Sequence, residues 1–233
     1  MTESPVAFIT GGGSGIGAAT ARQLLGLGYR VAVTGRRADR LRAFAKELGE
    51  PAALMTLCGD AADHEAVDSA VASTLRRFGR LDVAVANAGF ASFDNVGDGD
   101  PALWRDMVLT NVLGPALLIR TALPALKETS GRIVLVGSVA GVVHSAGNIY
   151  GATKWAVTGL AENTRRMVTH DNVGVTLVNP GATETNFFDA DGGPPDRDMI
   201  TAEQLAASIV WAITQPPGVD VNTLTIRPSR SPL

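Results

Sequence analysis

The chain has 233 residues, of which 45% are apolar and 18% charged, and its formal net charge is -3. This composition can bury a sizeable core, and it lacks the basic excess that nucleic acid or an anionic membrane would require of its partner. We therefore expect neither partner. Because doubly wound sheets often reach this length, we expect residues 1–233 to form one domain.

The rare residue types do not indicate a secreted, membrane or metal-binding protein. The single cysteine, Cys58, cannot form an intramolecular disulfide, and we expect no apolar stretch of the ~18 residues that span a bilayer. No signal-like segment precedes the first apolar run, which favours a cytoplasmic enzyme. His64, His144 and His170 stand singly without the spacing of metal ligands, so no metal site is expected.

Seven apolar runs of strand length recur along the chain, separated by segments with helical periodicity. This alternation predicts repeated βαβ units, and so an α/β fold with a doubly wound parallel sheet covered by helices on both faces. Ligands of such folds bind beyond the carboxyl ends of the strands, where Asn87, Ser138 and Pro180 are expected to meet. The predicted strands cover residues 6–9, 30–33, 53–57, 83–86, 132–136, 173–178 and 223–226.

The first predicted strand leads directly into the sequence TGGGSGIG at residues 10–17, and a helical pattern follows. Glycines let the backbone approach a bulky anion, and the N–H groups of the opening helical turn point at its oxygens. The turn therefore predicts a pyrophosphate site, with a flexible turn that binds nothing as the alternative. The residues expected to contact the phosphates are Gly11, Gly13, Ser14, Gly15, Ile16 and Gly17.

The exit of the second predicted strand indicates which dinucleotide binds. Chains that use NAD generally place an acid there, but this chain has Gly35 followed by Arg36 and Arg37. A guanidinium can hold a 2′-phosphate with two charge-assisted hydrogen bonds, so the sequence favours NADP(H). The alternative is that both arginines are solvated and paired with Asp39 or Glu47.

Tyr150 and Lys154 are four residues apart in a helical pattern, so their side chains leave the same face. An adjacent positive charge lowers the pKa of a phenol, as acid–base work near neutral pH requires. Alone, this spacing more often means a half-buried ring beside a solvated lysine. The other motifs along the chain favour the catalytic interpretation of the pair.

These motifs together resemble the short-chain dehydrogenase/reductase family, in its compact single-domain branch. The glycine turn, Asp60, the segment at residues 86–89 and the segment at residues 180–185 match family motifs in order, although Ala86 replaces the first Asn of Asn-Asn-Ala-Gly. The resemblance extends along nearly the whole chain. Four residues fall in the order of the family's catalytic tetrad: Asn111, Ser138, Tyr150 and Lys154.

The resemblance implies direct hydride transfer between NADP(H) and an alcohol/carbonyl pair. By this resemblance, Tyr150 would transfer the proton and Ser138 would form a hydrogen bond with the reacting oxygen. Lys154 would bind the cofactor ribose, and Asn111 would hold a helix kink. Read singly, Ser138 could instead cap a strand end, Asn111 fill a helix turn and Asp60 cap a helix. The further cofactor contacts implied by the resemblance are Asp60, Ala61, Asn87, Ala88, Gly89, Pro180, Gly181, Thr183 and Thr185.

Residues 186–200 have the composition of a substrate lid, since the rings of Phe187 and Phe188 precede a run of glycines, prolines and acids. The alternative is a surface loop whose rings fold back on the core. The C-terminal segment modestly resembles family members that oxidise small 3-hydroxy acids, for which Arg197 is the candidate carboxylate anchor. The expected pocket wall consists of Phe90, Val143, His144 and Asn148.

Two other functions stay open: a catalytically silent NADP-sensing protein, and an epimerase or dehydratase with transient hydride transfer. The helical segment at residues 151–161 is small or apolar nearly all round, so each of its faces needs a cover. By resemblance the second cover is the same helix of another subunit, which predicts a homodimer or homotetramer. The alternative is a helix of the same chain.

Overall fold

The computed structural model describes residues 4–191, 193 and 196–230. Seven parallel strands form one sheet in the order β3-β2-β1-β4-β5-β6-β9, and β7 and β8 form a separate parallel pair. The predicted doubly wound α/β fold is confirmed, and each of the seven predicted strands forms. The strands are β1 (Val6–Thr10), β2 (Arg30–Gly35), β3 (Leu54–Cys58), β4 (Val83–Ala86), β5 (Arg132–Val136), β6 (Gly174–Pro180), β7 (Thr183–Glu184), β8 (Ile200–Thr201) and β9 (Thr223–Ile226).

Helices cover both faces of the large sheet. The α-helices are α1 (Gly15–Gly26), α2 (Ala38–Glu47), α3 (His64–Phe78), α4 (Pro101–Val108), α5 (Gly114–Thr129), α6 (Ile149–Val168) and α7 (Ala202–Ile213). Along β1 the side chains alternate: Val6 and Phe8 join the core under α3, α5 and α6, whereas Ala7 and Ile9 join the core under α1, α2 and α7. All four are fully buried.

Helices α4 and α5 are joined without a break by one π-helical turn, Leu109–Leu113. The continuous helix Pro101–Thr129 has an 18-residue window with a mean hydropathy of 1.4, and so it is long and apolar enough to cross a bilayer. The expectation that no stretch meets these two criteria is therefore wrong. Of that window, 44% is buried inside the protein. A core helix passes the same test, and Leu118 and Leu126 are indeed buried against the sheet.

The order of the strands reverses between β1 and β4, because the chain crosses from β3 back to the other side of β1. This reversal opens a crevice at the carboxyl edge of the sheet, where the loops after neighbouring strands diverge. The glycine turn after β1 and the loop after β4 therefore face each other across it.

Candidate active site

One cavity of about 560 Å³ lies at this carboxyl edge and extends from the end of β2 to the loop after β6. Residues from the ends of β1, β2, β4, β5 and β6 line it, as the sequence predicts for a shared crevice. All but three of the predicted site residues reach its wall. The three that do not are Gly17, Asn111 and His144.

The shape of the glycine turn depends on positions that only glycine can occupy without strain. Gly11 and Gly15 have φ of 66° and 52°, a region that side chains with a Cβ rarely adopt. Gly17 has a different task from the predicted phosphate contact. A Cβ there would lie 2.5 Å from the Gly11 carbonyl oxygen and 2.6 Å from Asn87 Nδ2, so this glycine permits close packing of α1 on the turn.

A buried threonine fixes the turn against the loop after β4. The Thr10 hydroxyl accepts hydrogen bonds from the backbone N–H of Asn87 and of Ala88, at 3.1 Å each. In return the Asn87 amide nitrogen donates to the carbonyls of Thr10, at 2.9 Å, and Gly11, at 3.1 Å. The two walls of the crevice are thereby held at a fixed separation.

Two of the helices that begin at the cavity, α1 and α2, differ from most others in how they start. Asp63, Asp100, Asn148 and Thr201 cap α3, α4, α6 and α7 with side-chain hydrogen bonds. Helices α1 and α2 begin after Ser14 and Arg37, and neither side chain makes such a cap. Their first N–H groups and the positive ends of their dipoles face the cavity, which suits bound anions.

The arginines after β2 differ in whether an acidic side chain pairs with them. Arg37 is held by Asp39, with Nη2 2.6 Å from Oδ2, so the ion-pair alternative is correct for this residue. Glu47, the other proposed partner, pairs with Arg22 instead. Arg36 lines the cavity with no ion pair to any described residue, and Arg40, one turn into α2, joins it there.

Asp60 lines the same end of the cavity and is not a helix cap. Its Oδ1 accepts from the Ala62 N–H at 2.9 Å, which shapes the turn after β3, while Asp63 caps α3 by accepting from Glu65 and Ala66. The helix-cap alternative for Asp60 is therefore wrong.

The four residues of the predicted tetrad converge at the other end of the cavity. Tyr150, Ser138 and Lys154 line it, and their side chains are almost fully buried, as is that of Asn111 behind them. Lys154 Nζ donates to the Val136 carbonyl at 2.9 Å and lies 5.7 Å from the centre of the Tyr150 ring. The alternative of a half-buried ring beside a solvated lysine does not hold.

Burial changes the acidity of both groups in the pair. It raises the pKa of Tyr150 to about 12, and a hydrogen bond with the Ser138 side chain offsets only part of that rise. Burial also lowers the pKa of Lys154 to about 8. The expected fall in the Tyr150 pKa is not seen, because lost hydration disfavours the phenolate more than the neighbouring groups favour it. The phenol is therefore protonated at neutral pH.

Asn111 occupies the π-helical turn between α4 and α5, where it links three parts of the site. Its Nδ2 donates to the Phe90 carbonyl, at 2.9 Å, and to Thr153 Oγ1, at 3.1 Å, while its Oδ1 accepts from the Phe90 N–H. Thr153 in turn donates to the Tyr150 carbonyl at 2.7 Å. Asn111 therefore joins the loop after β4 to the helix that carries Tyr150.

Aromatic rings close the cavity above Tyr150. Phe187 packs on the Tyr150 ring with centroids 5.7 Å apart, and Phe188 stacks on Phe93 at 5.9 Å. Phe93 is a wall residue that the sequence does not predict, because an exposed loop carries no periodicity to mark it. His144 was wrongly placed in the wall: it is exposed and stacks on Trp155 at 4.9 Å, outside the cavity.

A family model described as short chain dehydrogenase matches residues 5–192. The chain belongs to the short-chain dehydrogenase/reductase family. It is 32% identical over 226 residues to an uncharacterised oxidoreductase of Staphylococcus epidermidis, with 96% of each chain covered. The resemblance drawn from the motifs is thereby confirmed, and the chain is assigned to a family of oxidoreductases.

Two solved structures of this short-chain dehydrogenase fold are close in shape. An alcohol dehydrogenase from the archaeon Thermococcus sibiricus, complexed with 5-hydroxy-NADP, shares 29% identity at a TM-score of 0.87, with 96% of each chain covered. The closed form of a serine dehydrogenase complexed with NADP+ shares 30% identity at a TM-score of 0.89, covering 95% of this chain and 94% of that one.

Proposed function

We propose that this short-chain dehydrogenase/reductase uses NADP(H) to interconvert a carbonyl compound and its alcohol. One observation carries the proposal: Tyr150 and Ser138, a proton donor and a second hydrogen-bonding group, meet beside the buried Lys154 at the end of a cavity that begins at two uncapped helix N-termini. This arrangement suits a dinucleotide at one end and a reacting oxygen at the other.

The residues present fit NADP(H). The uncapped start of α1 with Gly11 and Gly15 would hold the pyrophosphate, and the uncapped start of α2 with Arg36 and Arg40 would hold the 2′-phosphate. Asp60 would accept a hydrogen bond from the adenine. The two structural neighbours named above contain NADP or a derivative of it, which supports the same choice.

The nicotinamide, when bound, supplies the hydride that reduces the carbonyl carbon. Tyr150 donates its phenolic proton to the same carbonyl's oxygen, so that one hydride and one proton complete the alcohol. Ser138 donates a hydrogen bond to that oxygen as negative charge develops on it. The raised pKa of Tyr150 keeps its proton in place at neutral pH, as donation to a carbonyl oxygen requires.

Lys154 and Asn111 act on the geometry around this proton donor. Lys154 keeps its ammonium group in the site through the Val136 carbonyl, where it would bind the nicotinamide ribose. Asn111 holds the Phe90 backbone and, through Thr153, the helix of Tyr150. A Cβ on Gly89 would lie 3.0 Å from Asn111 Oδ1, so the loop after β4 also needs its glycine for this packing.

We also propose that the working unit is a cytoplasmic homodimer or homotetramer. The face of α6 that points away from the sheet is exposed, and α4 and the π-helical turn expose apolar side chains beside it. No helix among the described residues covers that face, which speaks against the same-chain alternative. The exposed apolar residues there are Leu103, Val108, Leu109, Leu113, Trp155 and Met167.

The test of the proposed reaction is a panel of ketones and aldehydes, each followed by the loss of NADPH absorbance and by the amount of alcohol formed. Equal amounts of NADPH consumed and alcohol formed are expected, which separates a reductase from an epimerase or dehydratase. Tyr150→Phe should keep the fold and NADPH binding but lower turnover by about 10² or more. Near-normal turnover in this variant would remove the phenol from the mechanism, and no turnover of any carbonyl by the wild type would favour the sensing protein.

A further inference from the structure

Four rings form a connected group above the reacting end of the cavity: Phe93, Tyr150, Phe187 and Phe188, here named the aromatic roof. Five ring pairs within it have centroid separations of 5.5 to 6.3 Å. Aromatic pairs attract one another at 4.5 to 7 Å, so each contact is favourable. The roof is therefore a group of mutually contacting rings that includes the ring of the proton donor, Tyr150.

All four rings line the cavity, so a substrate whose carbonyl reaches Tyr150 contacts this aromatic surface. Tyr150 is buried by its neighbours, among which Phe93 and Phe187 contact its ring. A substrate that carries an aromatic ring adds ring contacts of the same kind as those within the roof. A small polar substrate cannot make such contacts, and a saturated ring of equal size makes the apolar contact without the aromatic attraction.

The charged groups around the roof do not favour a cationic substrate. Among the described residues that line the cavity, Asp60 is the only acid, and it lies at the opposite end, beside the strand exit of Gly35. Asp94, which follows Phe93 in the sequence, already accepts hydrogen bonds from Ser92, from Trp104 Nε1 and from the Asp100 N–H. An ammonium group on the substrate would therefore meet no carboxylate among the described residues that line the roof end of the cavity.

We propose that the preferred substrates are ketones and aldehydes that bear an aryl group and no ammonium group, and that Phe93 sets this preference. The proposal rests on the carbonyl reduction proposed above. The step stays balanced: hydride and proton add across the C=O bond, and NADPH is oxidised to NADP+. Phe93 comes from the loop after β4, so it presents a ring to both Tyr150 and the lid residues from the opposite side.

The test compares three ketones with NADPH: 4-phenyl-2-butanone, its saturated counterpart 4-cyclohexyl-2-butanone, and the small oxo acid acetoacetate. The two butanones have the same chain and a carbonyl of similar reactivity, so their difference reports the ring. We expect kcat/KM to be at least about tenfold higher for the phenyl compound than for the cyclohexyl compound, mainly through KM. Acetoacetate should be poorer still, because it has no ring to contact the roof; if it were the best substrate, Arg197, which lines the cavity, would be supported as a carboxylate anchor instead.

Phe93→Leu keeps an apolar side chain but removes the aromatic face, so the phenyl preference should fall to within about twofold. Phe93 is 48% exposed, so the fold should tolerate the change, and unchanged NADPH binding would verify this. Val96→Ala is the matched control, because Val96 lies in the same loop, is exposed and is outside the cavity. It should leave all three substrates unaffected.

The outcomes separate the two proposals. If no ketone is reduced, the proposed reaction itself fails. If ketones are reduced but the phenyl and cyclohexyl compounds are equivalent, or acetoacetate is the best of the three, the aryl preference is overturned while the reaction stands. Full retention of the phenyl preference in Phe93→Leu would overturn the role given to Phe93.

Discussion

Lys154→Met should make the protein more stable at neutral pH while it abolishes most of the activity. Burial lowers the pKa of Lys154 from 10.5 to about 8, so the folded protein holds this lysine charged at a cost. A shift of about 2.5 units corresponds to roughly 3 kcal/mol, since each pKa unit is about 1.4 kcal/mol. Methionine keeps most of the stem without the charge, and thus removes the cost.

The sign of the pH dependence follows from proton binding. Between pH 8 and 10.5 the unfolded chain binds a proton at Lys154 more readily than the folded protein does, so wild-type stability at this site rises with pH. The free-energy cost of holding Lys154 charged in the folded protein has nearly its full value at pH 7 and falls to about 1 kcal/mol at pH 9.5. The stability difference between Lys154→Met and the wild type should therefore shrink by about 2 kcal/mol over that range. The opposite shift of Tyr150 acts mainly above pH 10, outside this window.

Urea unfolding of both proteins without cofactor at pH 7.0 and 9.5 measures this difference. The hydrogen bond to the Val136 carbonyl is lost at both pH values, so it changes the offset and leaves the pH dependence intact. Lys46→Met, at an exposed position, makes the same change of composition on the surface and serves as the control. A stability difference that does not change with pH would refute the reasoning. In activity assays, Lys154→Met should lose both turnover and NADPH affinity.

Two further predictions concern the cofactor and the assembly. NADPH should bind at least about tenfold tighter than NADH, and Arg36→Ala should weaken this preference more than Arg37→Ala, because Arg37 is held by Asp39. Gly35→Asp should reverse the preference, because the new carboxylate would repel a 2′-phosphate. The site has room for the side chain, since a Cβ at residue 35 would meet only Leu41, at 3.7 Å or more. Equal affinities of the wild type for NADPH and NADH would contradict the assignment. The wild type should sediment as a dimer or tetramer at micromolar concentration. Ala156→Glu, on the exposed face of α6, should dissociate this assembly. A wild type that sediments as a 24.1 kDa monomer would exclude this interface.

The fold could be predicted from local patterns because its elements obey local rules. Seven apolar runs separated by helical periodicity can bury themselves only in a parallel sheet covered on both faces, and all seven became strands. The helical spacing of Tyr150 and Lys154 likewise places both on one face without any knowledge of the rest of the chain. The order of motifs along the chain was enough to identify the family.

Side-chain partners across the fold could not be predicted in this way. Sequence places Arg36 and Arg37 side by side, but only the start of α2 decides that Asp39 takes one of them and leaves the other at the cavity. Gly17 resembles a phosphate contact in the sequence, yet the packing of Asn87 against the turn gives it a steric role. His144 stands among predicted wall residues, and its stacking on Trp155 turns it away.

The direction of the Tyr150 pKa shift depended most strongly on the tertiary structure. The sequence shows the charge four residues away, but it does not show how much water the fold removes from both groups. Hydration is lost through contacts with residues distant in sequence, such as Phe93 and Phe187, which pack on the Tyr150 ring. The sequence by itself determined which elements form and which residues can share a helix face. Only the tertiary structure decided which of those residues are buried, what each one contacts and how burial sets the charge it carries, because burial is a property of the whole packed chain.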